Sequence, residues 1–190
     1  MPIDRPPATW VATHRMRDGT AFRIFPCIDD GSGVARALWR AELQRGMQRL
    51  SPRSRWQRFA SGIDSLSERQ LDELTDVDGS HRVALCAALQ GEQCEEGVGL
   101  ARYVELADQP AVAEFAVTVI DAWQGRGIGS ALLDALIDTA RQNGIKVLRG
   151  FVFPSNTAML ALCRRHRAVI EPADDFLEVD LVLQGTSKNP

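Results

Sequence analysis

The sequence predicts an α/β domain of the α+β kind, with a mixed, mostly antiparallel central sheet flanked by helices. Three observations predict it. The runs Arg82–Gln90, Glu96–Val104 and Ala111–Ile120 have strand composition and are joined by turns containing Gly and Asp, as in an antiparallel meander. Residues Arg126–Asn143 carry apolar side chains at 128, 132, 133, 136, 137 and 140, the spacing of one helical face, and Asn143-Gly144 supplies a stop. Strand-like and helix-like segments follow each other without repeats or an interdomain linker, which fits one layered α/β unit.

Residues 1–18 are rich in Pro and polar residues without periodicity and read as a flexible arm; residues 19–184 read as a single domain and 185–190 as a tail. Thr20–Ile28 is a strand. Val34–Leu50 is a helix with apolar residues at 34, 38, 39, 43, 47 and 50, ended by Ser51-Pro52. Ser54–Ser61 and Ser67–Leu74 are short helices, the second opened by a capping pattern at Ser67 and Gln70. After the meander and the long helix, Lys146–Phe153 is a strand, Pro154-Ser155-Asn156 a capped turn, Thr157–Arg167 a helix and Glu178–Leu183 a final strand.

Composition narrows the function. The 190 residues hold 45% hydrophobic and 25% charged side chains, near globular averages. A net charge of −3 speaks against a nucleic-acid partner. There is no apolar run long enough for a membrane span and no leader-like start, so a cytoplasmic protein is expected. Cys27, Cys86, Cys94 and Cys163 form no CxxC pair and His14, His81 and His166 are scattered, so no metal site is expected and the cysteines read as buried, reduced thiols. Charge is uneven: seven arginines between Arg36 and Arg58 face one acid, Glu42, whereas six acids between Asp64 and Asp78 face one base, Arg69.

The chemistry concentrates at VTVIDAWQGRGIGS, residues 117–130, where a strand passes through three glycines into the long helix. A helix start leaves N–H groups unpartnered and carries about half a positive charge, so it attracts anions. Glycines at 125, 127 and 129 let a phosphate approach and permit positive φ where the loop curls. A Walker loop is excluded because no Lys follows; a dinucleotide loop fails because the spacing is Gly-x-Gly-x-Gly, late in the chain, with no acid after the next strand. What remains is Gln-x-x-Gly-x-Gly at Gln124, Gly127 and Gly129.

That signature, the AEFAV strand at Ala113–Val117 before it, and Asn156 opening the helix after the next strand resemble the GNAT superfamily of acyl-CoA-dependent N-acyltransferases. Leu50–Phe59 (LSPRSRWQRF) and Leu71–Asp78 (LDELTDVD) further resemble the front of the GNAT domain of bacterial protein-lysine acetyltransferases. The resemblance implies a GNAT-like sheet and acetyl-CoA as acyl-donor cosubstrate. It implies that backbone groups of Val117, Thr118 and Val119 pair with pantetheine where the strand splays from its neighbour. Gly125, Arg126, Gly127, Ile128, Gly129 and Ser130 would hold the pyrophosphate, with Gln124 and Asn156 completing the cofactor site; Arg126 either adds a charged contact or faces solvent.

An amine attacks a thioester only when uncharged, and lysine, with a pKa of about 10.4, needs a base. Glu114 stands where relatives with this strand carry theirs and breaks an otherwise apolar run; the other reading is simple outward alternation on a half-solvated strand. The Tyr acid common in the superfamily is replaced by Cys163, read as a packed, inert residue, and the only tyrosine, Tyr103, reads as core or cleft wall. Arg167-Ala168 replaces the usual Gly-Phe and puts the helix stop in doubt. The cluster Arg164–Arg167 either contacts the CoA 3′-phosphate or is a solvated helix end. The acidic segment either guides a cationic acceptor or pairs with the arginines. Trp39, Trp56 and Phe59 read as core, and Trp10 as a cover for a cleft or partner surface.

The expected function is transfer of acetyl from acetyl-CoA to a primary amine, a protein lysine first, with a small amine (polyamine, amino acid or aminoglycoside) or a non-catalytic acyl-CoA sensor as alternatives. No nucleic acid or membrane partner is expected, and a homodimer is compatible with the reading.

Overall fold

The computed structural model describes residues 11–28, 33–90 and 95–183, without the side chains of Gln90 and Glu95. Among the described residues, eight strands and five α-helices follow in the order β1 (Ala12–Arg15), β2 (Ala21–Pro26), α1 (Val34–Arg49), α2 (Pro52–Phe59), α3 (Glu68–Thr75), β3 (Arg82–Gln90), β4 (Glu95–Glu105), β5 (Val112–Val119), α4 (Ile128–Gln142), β6 (Val147–Val152), α5 (Thr157–Arg165), β7 (Val169–Ala173) and β8 (Phe176–Val182). One sheet runs β1-β2-β3-β4-β5-β6-β8-β7. All neighbours are antiparallel except β5 and β6.

Alternation along the strands divides the interior in two. One face presents Leu85, Ala101, Tyr103, Phe115 and Leu148 to the apolar stripe of α4, where Ile128, Leu132, Leu133, Leu136, Ile137 and Ala140 are all buried. The opposite face carries a smaller cluster of Met47, Leu50, Leu66, Leu71, Leu74 and Ile120, which roots α1 and α3. Helix starts obey local rules: Ser51 caps α2 with Pro52 in its first turn, and Ser67 and Gln70 form the expected capping box on α3.

Several expectations are corrected. Within the arm assigned to residues 1–18, Ala12–Arg15 form β1 and pair with β2, and buried Met16 leads the turn; four residues are too few for the sequence pattern to register. Strand β7 was not anticipated, because its half-exposed residues lack clean alternation. Helix α4 starts at Ile128 rather than Arg126. Cys27 and Cys86, expected as reduced thiols, form a disulfide with Cα atoms 6.3 Å apart; β2 and β3 lie side by side there, with Phe25 opposite Cys86. Cys163 is a buried free thiol. Trp56, expected in the core, is 51% exposed and stacks on Phe153. Cys94, Trp10 and the tail 185–190 lie outside the described residues.

The helix stop that Arg167-Ala168 put in doubt is present. Arg167 itself takes left-handed backbone (φ 57°), and its N–H and that of Ala168 bond to the carbonyls of Arg164 and Cys163. Arginine thus occupies a conformation that glycine adopts more cheaply.

Candidate active site

Strands β5 and β6 are paired only at Val112–Val147, Ala113–Leu148 and Glu114–Arg149, after which β6 continues against β8 alone. The sheet therefore opens into a wedge whose vertex is the Glu114–Arg149 pair. On its other side β5 stays bonded to β4. Ile120 N–H donates to Val98 O at 2.9 Å, which sets the phase of that ladder. By antiparallel alternation, the backbone groups of Thr118 and Ala116 belong to β4, and those of Val117 and Val119 point into the wedge. Val119 O already accepts from Gln124 Nε2 at 3.0 Å. The three residues grouped from sequence thus divide: Val117 and Val119 offer backbone to the opening, whereas Thr118 offers its side chain to a cavity on the α1–α3 face.

Above the wedge, a one-turn 3-10 helix, Asp121–Trp123, leads to the glycines. Gly125 (φ 72°) and Gly127 (φ 98°) adopt positive φ, so the curl requires glycine there. Gly129 does not; it lies within α4, where an added Cβ would meet Val119 Cγ2 at 3.6 Å and Leu162 Cδ2 at 3.9 Å. The first closing bond of α4 runs from Ala131 N–H to Gly127 O, and Gly127 provides no side-chain cap. The N–H groups of Ile128, Gly129 and Ser130 consequently lack intrahelical acceptors, at the positive end of the helix that packs its apolar stripe against the sheet. This is a backbone-lined anion cradle at the mouth of the wedge.

Arg126 does not extend freely: it pairs with Asp18 at 3.1 Å and stacks on Trp123 at 4.8 Å. Gln124 bonds Ser54 Oγ as well as Val119 O. Asn156 stands on the other wall of the wedge, past the end of β6, where its Oδ1 accepts from Met159 N–H and caps α5.

Glu114 is exposed on the α1–α3 side of the vertex. Arg149 beside it is clamped by Asp180 at 2.7 and 2.9 Å and by Glu178 at 3.3 Å, which raises its already high pKa. Arg58 and Arg102 share the field of Glu114. Withdrawal from water pushes Arg58 down to about 10; Arg102 adds to that fall and Glu114 opposes it. Burial lowers Arg102 too, against the pull of Glu114, Glu73 and Asp76.

Sequence reading missed the staple behind the loop. Asp121 accepts from Ser51 N–H (2.9 Å), Ser51 Oγ (2.7 Å) and Ser54 Oγ (2.9 Å), tying α2 to the strand exit that feeds the glycines. Burial would raise the Asp121 carboxyl, but these donors outweigh it and hold it low. Nothing local in Asp-Ala-Trp signals a partner 70 residues earlier.

Tyr103 is fully buried, donating to Ser80 O at 2.6 Å and accepting from Asn143 Nδ2 at 2.7 Å, and burial pushes its hydroxyl up to about 12. Burial also pushes the Cys163 thiol up to about 11. Both are packing residues, poor proton donors at neutral pH. The arginine-rich and acidic segments pair with each other: Arg40 contacts Glu68 and Asp72, and Arg36 contacts Asp72. Arg164, Arg165 and Arg167 are exposed at the end of α5. Among the described residues no cluster could hold a metal ion, and no helix is long and apolar enough to cross a membrane.

A cavity of about 600 Å³ lies between α1–α3 and the face of β2–β5 that bears Thr118. Its lining is mainly apolar, including Phe25, Leu38, Trp39, Phe59 and Leu100, with Arg58 and Glu42 among the few charged groups.

A parted strand pair beneath a glycine-lined helix start, with a carboxylate at the vertex, is the architecture of a transferase that draws its acyl group from a coenzyme A thioester. Comparison with known proteins agrees. The Acetyltransferase (GNAT) family profile matches residues 50–167, and the chain belongs to that family; it is a GNAT-type N-acetyltransferase. It is 35% identical over 140 residues to acetyltransferase PA5475 of Pseudomonas aeruginosa, covering 72% of this chain and 75% of that one. It is 42% identical over 69 residues to acetyltransferase Pat of Mycolicibacterium smegmatis, a match of 36% of this chain and only 21% of Pat. Among solved structures it resembles the GNAT domain of S. lividans PAT (TM-score 0.80, 27% identity, 94% of this chain and 100% of that one). A likeness in fold extends to yncA of Salmonella typhimurium, solved with its cofactor acetyl-CoA (TM-score 0.62, 17% identity, 86% and 96% covered).

Proposed function

We propose that the protein transfers the acetyl group of acetyl-CoA to a primary amine, with Glu114 as general base. The observation that supports this most is the coincidence of Glu114 with the last β5–β6 pair, directly below the freed backbone of Val117 and Val119. The diphosphate is held by N–H groups from Gly125 to Ser130, with Gly127 shaping the curl and Gln124 fixing the strand exit. Pantetheine runs along Val117 and Val119 towards the vertex. Asn156 frames the opposite wall by holding the start of α5 in place. Arg126, held by Asp18, contributes positive field rather than a direct clamp.

In the reaction the amine nitrogen forms a bond to the thioester carbon, its proton passes to Glu114 directly or through one water, and the C–S bond breaks. The thiolate takes a proton from solvent, since Tyr103 and Cys163 are both buried weak acids. The chain acts in the cytoplasm on this reading, where acetyl-CoA is supplied. Two classes of acceptor have support. A protein lysine is supported by similarity to the GNAT domain of S. lividans PAT and to a segment of Pat. A small amine is supported by the apolar cavity on the Thr118 face, lined in part by Arg58, which lies in the field of Glu114. The reading is tested by following CoA release from acetyl-CoA with purified protein, first with lysine-rich proteins and then with small amines; release with neither overturns it.

A further inference from the structure

One cationic donor meets the cavity without a protein acceptor. Trp39 lines the cavity with its ring, while its Nε1 is sealed away and unpartnered. Arg58, also lining the cavity, rests over the Phe59 ring at 4.9 Å, and among the described residues neither a hydrogen bond nor a close ion pair engages its guanidinium. The acid in the lining, Glu42, is taken by Arg45. An unpaired cation beside apolar walls is costly, so this guanidinium calls for an anionic oxygen ligand.

We propose that the cavity takes an acceptor carrying a carboxylate and an apolar side chain as well as its primary amine: an amino acid in chemical class. The inference rests on the acetyl-transfer reading above and follows its small-amine branch. The guanidinium of Arg58 holds the carboxylate, for which its planar fork is suited. Leu38, Trp39 and Phe59 surround the side chain. Anchoring at Arg58 leaves the amine to approach the vertex, where Glu114 shares the same electrostatic neighbourhood. The nitrogen then bonds to the acetyl carbon, CoA leaves as thiolate and is protonated by solvent, and the amine proton goes to Glu114. Products are an N-acetyl amino acid and CoA.

The test compares L-leucine and L-phenylalanine with their carboxamides, and with a lysine-containing peptide, in a CoA-release assay. The free acids are expected to exceed the amides by about a hundredfold in kcat/KM, because a site built for a charged oxygen leaves donors unpaired with the amide. Arg58→Met is expected to bring that ratio to within a few fold while leaving the calorimetric Kd for acetyl-CoA unchanged, and Arg58→Lys to restore part of it. Equal turnover of acids and amides, unaltered selectivity in Arg58→Met, or exclusive modification of the peptide lysine would overturn the proposal. Binding is read separately: N-acetyl-phenylalanine should raise the melting temperature of the wild type and not of Arg58→Met, whereas its amide should do so in neither. That result survives even if no amine releases CoA, so failure of the carboxylate site and failure of the transfer reading are told apart.

Discussion

Glu114 and Arg149 are the last residues at which β5 and β6 run together, and their two carboxylate and guanidinium chains leave the same face of the sheet at the point where it opens. Arg149 is bound to Asp180 and Glu178, so it anchors the vertex without neutralising Glu114.

Glu114→Gln is therefore expected to lower kcat by about 10²–10³-fold with the Kd of acetyl-CoA unchanged, since amide and carboxylate occupy the same space but only the carboxylate accepts a proton. The deficit should shrink as pH rises towards the pKa of the acceptor amine, where the nucleophile needs no base. Stopped-time CoA release across pH, paired with calorimetry, checks both; a variant with unimpaired turnover removes the base from Glu114.

The glycines of the loop should separate by backbone geometry. Gly127→Ala places a side chain at φ 98° and is expected to cost about 1–2 kcal/mol of stability and weaken acetyl-CoA binding. Gly129→Ala adds a methyl at ordinary contact distance within α4 and is expected to leave the melting temperature within a few degrees. Thermal unfolding of the two variants decides the matter: equal losses would contradict the assigned conformations.

Asp121 gives a pH signature. Its carboxyl is held below the usual range in the folded chain, so the stability it contributes is present above about pH 4, the unfolded value, and is lost as pH falls through the lower folded value. Asp121→Asn should cost about 1–2 kcal/mol at pH 7, loosen α2 from the loop, and flatten the acid limb of the stability curve. Urea unfolding between pH 3 and pH 7 measures this, and an unchanged acid limb would assign the dependence to other carboxyls such as Asp18 and Asp78.

Tyr103→Phe removes a hydroxyl between Ser80 O and Asn143 Nδ2 and should lose about 1 kcal/mol of stability with kcat intact. Cys163→Ala, deep in the core, should likewise keep kcat within about twofold at a stability cost of about 1 kcal/mol. A collapse of kcat in either variant, with acetyl-CoA still bound, would give the thiolate a protein proton donor.

Much of this was readable along the chain because the deciding forces are local. The period-3.6 apolar stripe of α4, the Ser67–Gln70 capping box, the strand composition of β3 to β5 with the turns between them, and the need for glycine at a curling phosphate loop each act within a few residues. What eluded the sequence depends on partners remote in it or on elements too short to show a period. Strands β1 and β7 gain their stability from one neighbour each rather than from their own patterns. Arg167 supports a helix stop in a conformation its residue type disfavours, held by bonds to Arg164 and Cys163.

The sequence by itself determined the class of protein: a glycine-bearing strand-to-helix junction, an acid on the strand before it, and a meander to carry both. Only the tertiary structure decided which backbone groups face the wedge, how Asp121 fastens α2 to the loop, that Cys27 meets Cys86, and that Arg58 and Trp39 border one cavity. Those outcomes depend on strand register and on packing between segments tens of residues apart, where a single step of register moves every side chain to the other face.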